Sequence, residues 1–196
     1  MTMRTAYTEL HGQTIRYGMR RGDPSRTPLL FFNGLGANIE LAQPFVDALT
    51  GPTVVIFDVP GVGGSPAPSS PYRPSGVARL AEALLDHLRI DRVDALGVSW
   101  GGAIAQQFAF RNLVRCRKLI LAATSAGAIM VPGSIVALGH LVTPRRYVDE
   151  AHAQRVAGAI YGGAFRRDPA LVSRTLRHVR FASRGGYYLQ LAAAFG

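Results

Sequence analysis

Ser99 stands between two glycines in Gly97-Val98-Ser99-Trp100-Gly101. A serine hydroxyl is a weak nucleophile until a base takes its proton; it then attacks a carbonyl carbon and forms an ester with it. The pattern Gly-x-Ser-x-Gly occurs by chance in glycine-rich chains, so its surroundings carry the argument. The segment Val93 to Val98, apolar but for Asp94 and read as a buried strand, leads directly into the serine, and Gly101, Gly102, Ala103 and Ala105 follow it. A strand that turns sharply into a helix here lifts the hydroxyl above a sheet, with Gly97 and Gly101 leaving room where strand and helix touch. The same turn aims the N–H groups of the first helical turn at the reacting carbonyl, where negative charge develops.

A second loop, Asn33-Gly34-Leu35-Gly36-Ala37-Asn38, follows the apolar run Leu29 to Phe32. Such a loop can bring another backbone N–H to the developing oxyanion, and the two donors are assigned to Leu35 and Trp100. Both act through the main chain, although the Trp100 ring reads equally as a packing residue or as a wall of an acyl pocket. The base is harder to find. After Ser99 come His140, His152 and His178, with Asp149 and Asp168 as acids. His152 follows Asp149 by three residues, so the two share a helix face and read as a surface pair. His178 lies among Arg174, Arg177 and Arg180 and reads as solvated; His11 fits a turn and His87 a helix end. Asp58 reads as a strand-end residue that fixes the loop after it. Tyr187 and Tyr188 read as a packed aromatic pair, with a substrate cleft as the alternative.

The elements that must position these residues follow from periodicity. Tyr7 to Met19 reads as a hairpin around His11-Gly12-Gln13. Thr27 to Asn33, Thr53 to Phe57, Val93 to Val98 and Arg117 to Ala122 read as strands, the first carrying a continuous apolar run buried on both faces and the next two also buried. Between them, Glu40 to Leu49, Ser75 to Leu88 and Trp100 to Phe110 read as helices, the second with Ser75 as N-cap. A loop rich in breakers, Asp58 to Pro74, carries Gly61, Gly63 and Gly64. Alternating strands and helices predict a mostly parallel sheet with helices on both faces, an α/β three-layer sandwich. After Thr124 the pattern becomes helical, around Ile135 to Leu141, Tyr147 to Ile160 and Pro169 to Phe181, so residues 1–124 read as core and 125–196 as a partial helical cap.

Composition excludes several other classes. The 196 residues are 48% apolar and 17% charged, which suits a folded domain and not a disordered chain. No apolar run reaches the ~18 residues of a membrane span. Met1 to Arg21 lacks the pattern of a signal peptide, so the expected location is the cytoplasm. Cys116 is the only cysteine, so neither a disulfide within the chain nor a cysteine metal site is expected, and it reads as an inert core thiol. The net charge of +10 lies entirely after residue 110: residues 1–110 carry nine arginines and nine acids, residues 111–196 thirteen basic residues against three acids. That half lacks the interleaved aromatics of a nucleic-acid motif, so solvated helix faces are expected and no nucleic-acid partner. Gly61 to Ser65 has no Gly-Lys-Ser/Thr, and Asn33 to Ala37 lacks the full Gly-x-Gly-x-x-Gly, so no cofactor and no metal are expected.

Taken in order and spacing, Phe31 to Gly36, Asp58 to Ser65 and Gly97 to Ala103 resemble the α/β-hydrolase superfamily, with Asn33-Gly34 where many members have His-Gly. Ser99-Trp100-Gly101-Gly102-Ala103, then Ala105 to Ala109, and the segment Arg184 to Leu191 are similar to intracellular poly(3-hydroxyalkanoate) depolymerases of the medium-chain type. The resemblance implies an α/β-hydrolase sandwich, Ser99 as nucleophile of an acyl-enzyme mechanism, a hydrophobic ester or polyester as substrate, and the polyester granule surface as a candidate partner. It also implies that the triad acid and histidine lie beyond residue 196, that the last core strands are absent from these residues, and that an apolar edge strand stands exposed. The 196 residues alone are then expected to be poorly soluble and to have negligible esterase activity. A small-ester or lactone hydrolase, and a C–C bond hydrolase, are alternatives that use the same serine; haloalkane dehalogenation would need a carboxylate at position 99. An inactive hydrolase-like fragment or granule-binding protein is the alternative outside enzymes.

Overall fold

The computed structural model describes residues 3–68, 70–126, 134–168, 170–176, 179 and 181–194. Strand β1 (Arg4–Leu10) turns at His11-Gly12, both at positive φ, into β2 (Gln13–Arg20). The two pair antiparallel, as the hairpin reading predicts. Strands β3 (Leu29–Phe32) and β4 (Val54–Phe57) are buried at every residue. With β5 (Val93–Val98) and β6 (Cys116–Ala122) they complete a sheet of order β1-β2-β4-β3-β5-β6. The β2–β4 pair is antiparallel, while β4–β3, β3–β5 and β5–β6 are parallel.

The period of two along each strand sorts the side chains onto two faces. Leu30, Phe32, Val55, Phe57 and Ala95 join Val77, Ala81, Leu84, Ile104 and Phe108 in the larger core cluster. Those partners come from α2 (Pro74–His87) and α3 (Trp100–Arg111). Leu29, Phe31, Val54, Ile56 and Leu96 face the other way, onto Ile39, Ala42 and Val46. Each fully buried aliphatic or Phe side chain contributes about 1.5–3 kcal/mol, so two-sided strands can anchor the sheet despite being only four residues long.

The chain steps from β3 to β4 on one side of β3 and then crosses to β5 on its other side. The crevice between the carboxyl ends of β3 and β5 is therefore the point where strand order reverses, the place where open α/β sheets bind ligands. Both loops singled out in the sequence leave the sheet there.

Some boundaries differ from expectation. The helix expected over Glu40 to Leu49 opens as a 3-10 turn, Ile39–Ala42, before α1 (Gln43–Ala48), with Pro44 at the start of the α-helix. Ser75 is not an N-cap: Arg73 holds that place in extended conformation, and Pro74 opens α2, its fixed φ suited to the first helical position. Cys116 is half-buried on an edge strand, not a core thiol.

After β6 only helices occur among the described residues: α4 (Ile135–Leu141), α5 (Arg145–Val148), α6 (Glu150–Ile160), α7 (Gly163–Arg167), α8 (Ala170–Leu176) and α9 (Arg184–Ala193). The single helix expected over Tyr147 to Ile160 is two, because Asp149 is extended and caps α6 by accepting the His152 N–H. Ala153, Ala157 and Val172 form a small core of their own with Phe165. No helix is long and apolar enough to cross a membrane among the described residues.

Candidate active site

Ser99 is the residue between β5 and α3, and its backbone is strained: φ is 53° and ψ −123°. An L-residue pays for a positive φ, and such outliers persist only where the surroundings fix them. Here the Ser99 N–H donates to the Ala122 carbonyl at the end of β6 (2.9 Å), and the Ser99 carbonyl accepts the Gly102 N–H (2.8 Å). The glycines are sterically required. A Cβ on Gly97 would lie 2.6 Å from the Gly102 Cα and 2.7 Å from the Ala105 Cβ. A Cβ on Gly101 would collide with the Phe32 and Asn33 carbonyl oxygens. Strand, elbow and helix thus close on one another, and the Ser99 side chain is left exposed at the sheet's upper edge.

The loop after β3 reaches the same place. A Cβ on Gly34 would sit 3.5 Å from the Ser99 Cβ. The loop is closed by the Ala37 N–H donating to the Gly34 carbonyl (3.1 Å) and by the Asn33 amide donating to the Asn38 carbonyl (2.7 Å). Neither the Leu35 N–H nor the Trp100 N–H has an acceptor among the described residues. An alpha/beta hydrolase fold family matches residues 27–187, which contain every residue of this elbow and loop.

The chain belongs to the alpha/beta hydrolase fold family. It is 53% identical over 189 residues to a poly(3-hydroxyalkanoate) depolymerase of Ectopseudomonas oleovorans, a match covering 96% of this chain and 67% of that relative. The solved enol-lactonase of Burkholderia xenovorans LB400 superposes with a TM-score of 0.74 at 23% identity, covering 96% of this chain and 73% of that one. An esterase from Exiguobacterium antarcticum gives 0.77 at 20% identity, covering 98% and 74%. At those identities the two structures speak for the fold.

Within this hydrolase fold, Asp58 secures the second loop from beneath. Its side chain is wholly buried, accepting from the Ile39 N–H (2.8 Å), the Gly64 N–H (2.9 Å) and Arg16 Nη1 (3.1 Å). Arg16 also pairs with Glu40, and Ser65 Oγ donates to the Asp58 carbonyl (2.6 Å). Burial pushes the Asp58 carboxyl above its usual range, while the two N–H groups and Arg16 pull it back. Asp58 therefore fixes its following loop, as its place in the sequence indicates, and the Ile39 contact extends that hold to the segment after Leu35.

The other singled-out residues lie elsewhere or do other work. The Trp100 ring packs in the larger core cluster, which favours its packing reading. Tyr187 is buried and stands edge-on to the exposed Tyr188 at 6.0 Å. His140 and His152 stack edge-on at 5.8 Å, and burial and Arg145 push the His152 imidazole pKa down. Asp168 is taken by Arg174 (2.7 Å), and His87 by the ring of Tyr17. His178 lies outside the described residues. Ser99 Oγ has no hydrogen bond to any described residue. A surface groove of about 370 Å³ is lined by Thr143, Arg145, Arg184 and Tyr188, not by the elbow or its loop. Sequence reasoning missed Arg146, Tyr147 and Gln190, which touch the Leu35–Gly36 peptide. Gln190 sits in the Arg184 to Leu191 segment that carries the resemblance, but one arginine among the many of this half has no distinguishing signal.

Proposed function

We propose that this hydrolase cleaves carboxylic esters through Ser99, with the Leu35 and Trp100 N–H groups as oxyanion hole and a hydrophobic 3-hydroxyalkanoate polyester as substrate. The observation that carries the reading is an exposed serine at positive φ on a strand end, near two N–H groups that have no acceptor among the described residues. The polyester is supported by the 53% identity with the depolymerase of Ectopseudomonas oleovorans. On this reading residues 1–124 are the N-terminal part of the core and 125–196 a helical cap above it. A cytoplasmic location and contact with the polyester granule surface belong to the same proposal.

The chemistry follows. Ser99 Oγ attacks the ester carbonyl carbon while a base takes its proton, and the carbonyl electron pair moves onto oxygen. The oxyanion accepts from the Leu35 and Trp100 N–H groups; removing one such donor costs about 2.7–4 kcal/mol of transition-state stabilisation. Collapse expels the alcohol end of the neighbouring monomer, which takes the proton from the base, and leaves acyl-Ser99. Water then gives its proton to the same base, attacks the acyl carbon, and releases the free acid and Ser99. The base that serine catalysis on this fold uses is a histidine oriented by a carboxylate, and it is to be sought outside the described residues.

The test is fluorophosphonate labelling of the protein expressed from its native coding sequence, with turbidity clearing of a poly(3-hydroxyoctanoate) suspension. Labelling and clearing should both vanish in Ser99→Ala. Labelling that survives this substitution would overturn the nucleophile. Labelling without clearing, with rapid opening of a lactone, would replace the polyester by a small cyclic ester.

A further inference from the structure

We propose that Arg146 is a positioning residue of the oxyanion hole, through which the helices after β6 hold the Leu35 N–H in place. This rests on the assignment of Leu35 as a donor and deepens it.

Arg146 lies in the short helix α5 and is 3% exposed. Its hydrogen bonds among the described residues go to neutral oxygens. Nη1 donates to the Tyr187 hydroxyl (2.7 Å) and Nη2 to the Leu35 carbonyl (3.0 Å) and the Tyr147 hydroxyl (3.3 Å). The guanidinium lies 4.4 Å from the Tyr147 ring centroid and 5.4 Å from that of Tyr187. Its Nε is buried with no hydrogen-bond partner among the described residues. Withdrawing a guanidinium from water onto neutral partners is costly, and a packing role alone would be met by methionine or leucine. What an apolar residue cannot do is bridge two elements with one rigid fork, here α9 through Tyr187 and the loop through Leu35.

The target of that fork is specific. The Leu35 carbonyl also accepts the Tyr147 hydroxyl (2.7 Å), and the Gly36 N–H donates to Gln190 Oε1 (2.7 Å). Both polar groups of the Leu35–Gly36 peptide are thus occupied by side chains of α5 and α9. Gly36 has a φ of +72°, and a Cβ there would lie 2.6 Å from the Tyr147 ring and 2.9 Å from that of Tyr187, so the two rings close on a bare Cα. The Leu35 N–H belongs to the preceding peptide, separated from this clamped one by only the φ and ψ of Leu35. Clamping one peptide from outside therefore orients the donor of the one before it, and displacement of α5 or α9 releases it. The hole is complete only while these helices are seated.

The experiment combines hydrogen–deuterium exchange with ester kinetics on the protein from its native coding sequence. In Arg146→Met, exchange in the segment 33–38 should accelerate about tenfold or more while β3 and β5 keep their rates. With p-nitrophenyl octanoate, kcat should fall about 10- to 100-fold and KM stay within about twofold, because a displaced donor is missed in the transition state. Tyr147→Phe removes one bond to the Leu35 carbonyl, keeps the ring, and should move both readouts the same way by less. It decides the matter if Arg146→Met does not fold. Unchanged exchange in 33–38, or a rise in KM at constant kcat, overturns the proposal. If the parent protein hydrolyses no ester, the assignment of Leu35 as a catalytic donor falls, while the exchange data still judge whether Arg146 holds the loop.

Discussion

Glycine would occupy position 99 with less strain than serine. With φ at 53° and ψ at −123°, Ser99 sits where an L side chain costs about 1–3 kcal/mol. Ser99→Gly should therefore raise stability by about 1 kcal/mol in urea unfolding, and Ser99→Ala should leave it nearly unchanged, although both remove the hydroxyl. A Ser99→Gly variant less stable than the parent would show that the hydroxyl, not the backbone, sets the energy here. Gly101→Ala should do the opposite and lose about 3 kcal/mol, since its Cβ meets two fixed carbonyl oxygens on β3 and its loop. These positions were legible because steric need leaves a mark in the sequence: glycines at 97 and 101 around one serine. Arg146 and Gln190 were not legible, because a side chain that meets a backbone carbonyl or N–H more than a hundred residues away has no local spacing to betray it.

Helix ends carry their own predictions. Ser183 caps α9 by accepting the Gly186 N–H (2.9 Å), so Ser183→Ala should cost about 1 kcal/mol and loosen the helix that carries Tyr187 and Gln190. Thermal unfolding checks the first part and amide exchange in 184–193 the second. Asp149 caps α6, and the His152 N–H followed by Arg145 holds its carboxyl below the usual aspartate range. The folded pKa is the lower one, so this cap is at full strength above the ordinary aspartate value and is lost as pH falls through the lowered folded value. An amide-shift titration of His152 should show that midpoint, and Asp149→Asn should abolish it. The strands were readable because burial on both faces leaves uninterrupted apolar runs such as Val54 to Phe57. The caps were less so: Pro74 beside Ser75 marks the helix start one residue earlier, while nothing short-range singles out Ser183, which makes a cap.

At the scale of the molecule, the sheet ends in the largely polar hairpin strand β1 on one side and in β6 on the other, and neither has an outer strand partner among the described residues. Leu119 and Ile120 are 39% and 45% exposed on opposite faces of β6, Phe110 stands out at the end of α3, and Leu113 and Val114 stand out on the connection between α3 and β6. An unpaired strand edge with apolar faces templates association. These 196 residues alone should therefore self-associate at micromolar concentration, and Ile120→Lys with Val114→Asp should shift them toward monomer in light scattering. A monomeric parent would place its solubility elsewhere. The mostly parallel sheet follows from strand alternation and right-handed crossovers, so its two-sided packing was foreseeable. The seating of the later helices on the Leu35 loop was not, because periodicity tells which face of a helix is apolar but not what it will meet.

That open edge also has a chemical address. Lys118 is the only lysine of the chain and stands exposed on β6. An amine-directed reagent can mark these residues only there and at the chain's α-amino group. Loss of the Lys118 adduct would register whatever lies against the edge, in a lysate as readily as in a purified sample, without a single substitution.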